Sequence, residues 1–151
     1  VRELEDGASL TRALAEAGSD EVVIGLCLGP NRRHVLRLRD REAARRCAGA
    51  GLWEIAELDV AVLENLVLGP RLGICTEALA TQEHIAYVTS EEVACQWVAA
   101  GQAQAAFILN AMSVERVWRT ATAGLTMPQK STYFHPKPLA GLAMYPLDDA
   151  L

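Results

Sequence analysis

Only two lysines, Lys130 and Lys137, stand against twelve arginines, and the net charge is −5. That balance argues against nucleic-acid affinity driven by bulk positive charge. Aromatic residues make up 5% of the chain and none is interleaved with the arginines of residues 32–46, so base stacking has no platform there. There is no Cys-x-x-Cys pair. Cys27, Cys47, Cys75 and Cys95 are spaced 20, 28 and 20 residues apart, and the three histidines, His34, His84 and His135, are scattered. No metal site is expected from such spacing. A chain of this length does not need disulfide staples, so free thiols in a reducing cytoplasm are expected. The uncharged stretch Cys95 to Val114 is interrupted by Gln96, Gly101, Gln102, Gln104 and Asn110, so no membrane span is expected. The opening Val1-Arg2-Glu3-Leu4-Glu5 has no apolar leader, and a start at Val1 rather than Met predicts a portion of a longer protein.

Apolar residues supply 51% of the 151 positions, enough for one core, and a single domain over 1–151 is expected. Ser9 can cap a helix over 9–18 that ends at Gly18. Val22 to Leu28, the turn Gly29-Pro30-Asn31-Arg32 and an alternating run over 33–39 predict a β-hairpin. Its His34, Leu36 and Leu38 share the apolar face. A polar helix begins at Asp40. Val60, Leu63, Leu66 and Val67 predict another helix, capped by Asp59 and stopped at Gly69-Pro70. Residues 71–82 lack a period and predict a loop.

His84 to Val88 reads as a strand. Thr89 and Glu92 have capping-box spacing, with Val88 and Val93 as a staple, for a helix burying Val93, Ala94, Trp97 and Val98 up to Gly101. The continuous run Ala105 to Leu109 predicts a strand covered on both faces. Ser113 caps a helix with Val114, Val117, Trp118 and Ala121 inward, ending at Gly124. Leu139 to Tyr145 predicts a last strand. The fold class expected is α/β or mixed α+β. It has an N-terminal hairpin, then a strand-helix-strand-helix-strand unit, with helices on a mixed sheet. A pairing of consecutive strands would make the first crossover parallel and right-handed.

Three groups carry candidate chemistry. Residues 32–46 hold seven arginines against Asp40 and Glu42. They form either an anion or nucleic-acid patch or a solvated face, and they can also answer the acidic segment 1–21. The three scattered histidines define no metal site, no nucleophile-elbow glycines surround any serine, and His34 reads as a core residue. The third group is Met127-Pro128-Gln129-Lys130-Ser131-Thr132-Tyr133-Phe134-His135-Pro136-Lys137-Pro138, a polar segment stiffened by three prolines. Lys130 can set a point charge beside a phosphate or carboxylate, and Ser131 and Thr132 can donate to its oxygens. The glycines of a phosphate-cradling P-loop are missing.

The string from Met127 to Phe134, with Pro136-Lys137, Gly141-Leu142 and Pro146-Leu147, resembles the C-terminal signature of the bacterial and archaeal domain of unknown function 1015. Leu58-Asp59-Val60-Ala61-Val62-Leu63 with Leu72-Gly73-Ile74 is similar to that family's middle helix. Tyr87, Glu91-Glu92, Val98, Gly101, Ala105-Ala106-Phe107 and Asn110 are similar to its next segment. His135, Pro138 and Ala111 depart from the family pattern. Some members are ATP-dependent kinases of free L-serine, with an Asp-Gly-His-His-Arg motif in a ParB-like N-terminal half. That motif is absent from these 151 residues.

The resemblance therefore implies the C-terminal portion of a kinase whose ATP, Mg2+ and main catalytic motif belong to the N-terminal half. No residue here is expected to be catalytic. Gln129, Lys130, Ser131, Thr132 and Lys137 are the candidates for substrate or phosphate contact. The partners implied are the N-terminal half of the same protein and a small-molecule substrate. A docking or oligomerisation module that forms a homodimer is the alternative. A ParB-like nucleic-acid-associated protein is the second alternative.

Overall fold

The computed structural model describes residues 1–4, 9–18, 21–48, 53–74, 76–128 and 131–132. Its centre is the predicted hairpin. Around the Gly29-Pro30 turn, the Leu28 N–H donates to the Arg32 carbonyl at 2.8 Å. After the short edge strand β1 (Arg2–Glu3), β2 (Val23–Cys27) and β3 (Arg33–Arg37) run antiparallel, with Gly25 opposite Val35. A later strand, β4 (Ala106–Leu109), pairs antiparallel with β2, Ile24 opposite Leu109. The order is β1-β3-β2-β4. Helices cover both faces of this sheet in a mixed α+β arrangement.

The period of two in β2 and β3 assigns the two cores. On one face, Val23, Cys27 and Val35 pack with Leu10 and Leu14 of α1 (Leu10–Ala15) and with Cys95 of α7 (Glu91–Ala99). On the other, Val22 and Ile24 pack with Ala44 of α2 (Arg41–Ala48), and with Val62 and Leu63 of α4 (Asp59–Leu63), which follows the short α3 (Trp53–Ala56). His34 lies on this second face and is half-buried, as its place in the pattern predicts. Gly25 is forced by closeness. A Cβ there would sit 3.1 Å from Ile108 Cβ and 3.2 Å from Leu10 Cβ, so α1 can approach the sheet only over a glycine. β4 is sandwiched as its unbroken apolar run predicts: Ala106 and Ile108 join the first core, Phe107 and Leu109 the second.

Several elements differ from expectation. Asp59 is the first residue of α4 rather than its cap, and Leu58 holds the cap position. Gly69-Pro70 does not stop the chain's helical path. α4 runs into a π-helical turn (Glu64–Leu68), and α5 (Gly69–Leu72) follows. The Gly69 N–H donates five residues back to the Glu64 carbonyl. This wider turn accommodates Pro70, which lacks an N–H and would crowd an α-helical carbonyl. The helix ends instead at Gly73, with φ +71°.

The region 71–82 expected to be a loop contains the end of α5 and also α6 (Thr76–Thr81). Alanine and leucine favour that helix although it buries no complete face. His84 to Val88 is not a strand. The chain leaves α6 through Gln82 and His84 with φ near +60°, a left-handed backbone incompatible with extended pairing. With no strand there, the parallel crossover does not form, and every described pairing is antiparallel. The predicted strand 139–145 lies outside the described residues.

At three other helices capping follows the polar residues, with one shift. Ser9, Ser90 and Ser113 cap α1, α7 and α8 (Val114–Thr122), each accepting an N–H three residues on. Ser90, not Thr89, is therefore the cap of α7, and Val88 and Val93 stay exposed. In α7 the buried residues are Ala94, Cys95 and Val98, and Trp97 is half-buried. α8 is turned from its expected orientation. Thr120 is buried, whereas Val114 and Trp118 are 77% and 70% exposed. Among the described residues no helix is long and apolar enough to cross a membrane.

Candidate functional site

A cleft of about 200 Å³ opens beside the β1–β3 side of the sheet. Its floor is apolar: Val23 and Val35 from the sheet, Ala13 and Ala17 from α1 and the turn after it. The large side chains of α1, Leu10 and Leu14, are committed to the core beneath. The helix presents only alanine methyls toward the cleft, which leaves a hollow there. Arg2, Arg37 and Arg39 also line it. Arg37 is in contact with the Glu21 carboxylate. Among the described residues no carboxylate pairs with Arg2 or Arg39. The cleft thus couples a greasy floor to an excess of positive charge.

That lining determines the available chemistry. Guanidinium groups keep their protons at any ordinary pH and donate in a fork that matches carboxylate or phosphate oxygens. The aliphatic residues add contact area and no reactivity. Such a cleft can bind an anion, and among the described residues none of the side chains lining it is a general base, acid or nucleophile. Its volume lies below the range of drug-sized ligands and suits an anion of few heavy atoms.

The other arginines of residues 32–46 are largely committed. Arg33 pairs with Glu91, Arg41 and Arg45 with Glu57, and Arg46 with Asp40. The solvated, internally paired reading of this cluster therefore describes most of it. The acidic N-terminal segment contributes Glu21 to it, as charge complementarity predicts.

Two carboxylates outside the cleft have strongly determined environments. Glu91, at the start of α7, accepts from the Leu10 N–H at 2.7 Å, the Thr11 N–H at 2.8 Å and the Ser9 hydroxyl at 3.0 Å. The Arg33 guanidinium lies 3.5 Å away. Burial works to raise its pKa, but the hydrogen bonds from Thr11, Leu10 and Ser9 outweigh it and hold the carboxyl below its ordinary value. Asp59 is the opposite case. It is buried, and its Oδ1 accepts no hydrogen bond. The Arg116 guanidinium stands at 3.8 Å, an ion-pair distance too long for a hydrogen bond. Burial dominates and pushes the pKa up to about 6, against Arg116 and its own backbone N–H. Burial also raises Glu64, on the π-turn, and raises Tyr87, to which the Glu64 charge adds.

The sequence-predicted residues fare differently. Ser131 is half-buried and its hydroxyl donates to the Pro128 carbonyl three residues back, an internal turn contact. Thr132 is exposed, and neither of the two lines the cleft. Gln129, Lys130 and Lys137 lie outside the described residues, as does His135. His84 is exposed, 3.6 Å from Glu83. Among the described residues, no three histidine, cysteine or acidic side chains gather as a metal site. Sequence reading missed the Asp59–Arg116 pair, the Glu91 clamp and the cleft. Glu91 carries a capping-region signal, but its partners lie about eighty residues away in the chain.

No family model matches the chain, and neither a curated protein nor a solved structure matches it.

Proposed function

We propose that this chain is a small-anion-binding accessory module of a cytoplasmic small-molecule kinase, with free L-serine as the substrate class. The observation that carries the binding part is the cleft, where Arg2, Arg37 and Arg39 stand over an apolar floor. The kinase part rests on the string Met127 to Phe134 and the similar segments before it. ATP and Mg2+ would belong to the N-terminal half. The module would hold the carboxylate or phosphate of a small metabolite, and Lys130 and Lys137 would add charge from the proline-braced segment. Phosphoryl transfer depends mostly on positioning and charge stabilisation, so a module without a catalytic base has a role in it.

The test is a thermal-shift and NMR titration of the chain with L-serine, O-phosphoserine and inorganic phosphate. At least one of them should bind and raise the melting temperature, and Arg39→Ala should weaken that binding about tenfold, the effect of losing one charge-assisted hydrogen bond. Equal binding by Arg39→Ala, or no binding at all, removes the reading.

A second reading, docking onto the N-terminal half, is favoured by α8. Val114 and Trp118 lie one turn apart on its outward face, and a large exposed tryptophan is unusual for a solvated helix. On this reading Trp118→Ala should lower the affinity of the chain for a separately produced N-terminal half at least tenfold, read by analytical ultracentrifugation. Unchanged affinity rejects it.

A further inference from the structure

The two edges of the sheet are built differently. At one edge, β1 is only Arg2 and Glu3, both charged and both exposed. Short, charged strands are how natural sheets keep an edge from pairing. At the other edge, β4 is Ala106-Phe107-Ile108-Leu109, with neither charge nor proline, inside the uncharged stretch Cys95 to Val114. Both of its faces carry core, yet all four residues are only half-buried, whereas Val23, Ile24 and Cys27 of the neighbouring β2 are buried. That difference matches an edge left open.

The ladder fixes which backbone groups point outward. In antiparallel strands, alternate residues direct N–H and C=O toward the same neighbour. The Leu28 N–H donates to the Arg32 carbonyl and the Leu38 N–H to the Val22 carbonyl, so the even-numbered residues of β2 serve β3. Its odd-numbered residues serve β4, where Gly25 lies opposite Ile108 and Cys27 opposite Ala106. Ala106 and Ile108 are thus bonded inward. Phe107 and Leu109 turn their N–H and C=O groups to the open side, and among the described residues nothing pairs with them. Donor and acceptor alternate there in the pattern that an added extended strand satisfies.

We propose that β4 is the seam of a homodimer, pairing antiparallel with β4 of a second copy about a two-fold axis at Ile108. The strand is complementary to itself. With Ile108 opposite its own equivalent, Phe107 meets the second copy's Leu109, and Leu109 meets the second copy's Phe107. Both are hydrogen-bonded pairs that exchange N–H and C=O, so every outward group of Phe107 and Leu109 closes. The register also keeps the faces in order, because Phe107 and Leu109 belong to the second core in each copy and Ile108 to the first. Beyond them Ala106 meets Asn110 and Ala105 meets Ala111, so no like charges come together. The joined sheet ends on both sides in the blunted β1, which stops assembly at the dimer. The seam lies at the opposite edge from the cleft and leaves it free.

Sedimentation equilibrium and amide hydrogen exchange of the full chain, from micromolar to millimolar concentration, test this. The mass should rise toward that of the dimer, and the Phe107 and Leu109 amides should slow by at least about tenfold over the same range. The Ala106 and Ile108 amides, bonded to β2, should stay slow throughout. Leu109→Pro removes one outward N–H and sets a ring in the seam, so its dissociation constant should rise at least about tenfold. Proline there can also cost the fold, and the exchange pattern of the unsubstituted chain then decides alone. A chain that stays monomeric at millimolar concentration overturns the proposal. So does a dimer in which the Phe107 and Leu109 amides exchange as fast as in the monomer, because its interface lies elsewhere. Protection of both amides that is the same at every concentration overturns it too, and assigns the edge to a segment of the same chain.

Discussion

Glu91→Ala is expected to destabilise the protein by about 3–4 kcal/mol, seen as a melting temperature lower by roughly 10 °C. The carboxylate gathers the Ser9 hydroxyl and the Leu10 and Thr11 N–H groups, which are donors that α1 cannot satisfy within itself. It is the tie between the starts of two helices, α1 and α7. Hydrogen bonds to a charged acceptor contribute about 1.5–3 kcal/mol each, but two of these donors are exposed and regain water on substitution. That recovery keeps the total near two such bonds. Arg33, whose side chain is 21% exposed, also loses its carboxylate.

Glu91→Gln should fall between wild type and alanine, because the amide oxygen still accepts. The sign of the pH dependence follows from the lowered pKa. The stabilisation is complete above the unfolded carboxyl value near 4.5 and is lost as pH falls through the lower folded value. Urea unfolding at pH 7 and at pH 3 checks this. An alanine variant with wild-type stability at pH 7 would show that the clamp contributes nothing.

Asp59→Asn is expected to act in the other direction, stabilising the protein by roughly 3 kcal/mol at pH 7.5. A carboxyl pushed from 3.8 to about 6 is a charge that the fold accommodates poorly. Its stabilising contribution is present in the protonated form below pH 3.8 and is lost as pH rises to about 6. The wild-type protein should therefore gain stability on acidification from pH 7 to 5, and the asparagine variant should not. Below pH 4 the two curves should converge.

Removing one partner of a buried pair ordinarily strands the other charge at a cost of about 3–5 kcal/mol. Here Arg116 is 28% exposed at its side chain, so water takes over its solvation. The desolvation relieved at Asp59 outweighs the pair that is lost. Denaturant midpoints of both proteins across pH 4–8 decide the matter, and a destabilised variant at pH 7.5 would show that the ion pair wins.

These two carboxylates mark the limit of what sequence patterns reveal. The hairpin, its turn and the assignment of His34 to an apolar face were legible because they rest on a period of two over consecutive residues. β4 was legible because an unbroken apolar run requires cover on both faces. Ser9, Ser113 and the glycine ends of α7 and α8 were legible because capping is satisfied within four residues. The strand at 84–88 was misread because apolar content alone does not show backbone handedness, and Gln82 and His84 turn the chain into the left-handed region. The face of α8 was misread for a related reason. Its apolar residues satisfy a helical period, but its orientation goes with the Arg116–Asp59 ion pair and buries Thr120 instead.

The order of residues alone determined several local units: the hairpin, β4, the caps of α1 and α8, and apolar content enough to fill a core. Tertiary structure decided everything that joins residues far apart in the chain. It made every described sheet pairing antiparallel, put Cys27 and Cys95 into one core, brought Glu91 onto α1, buried Asp59 beside Arg116 and opened a cleft between three arginines and the alanines of α1 and the turn after it. Periodicity and capping act over a few residues and leave a mark in sequence. Burial, desolvation and long-range charge pairing depend on which surfaces meet, and that is settled only when the chain has closed on itself.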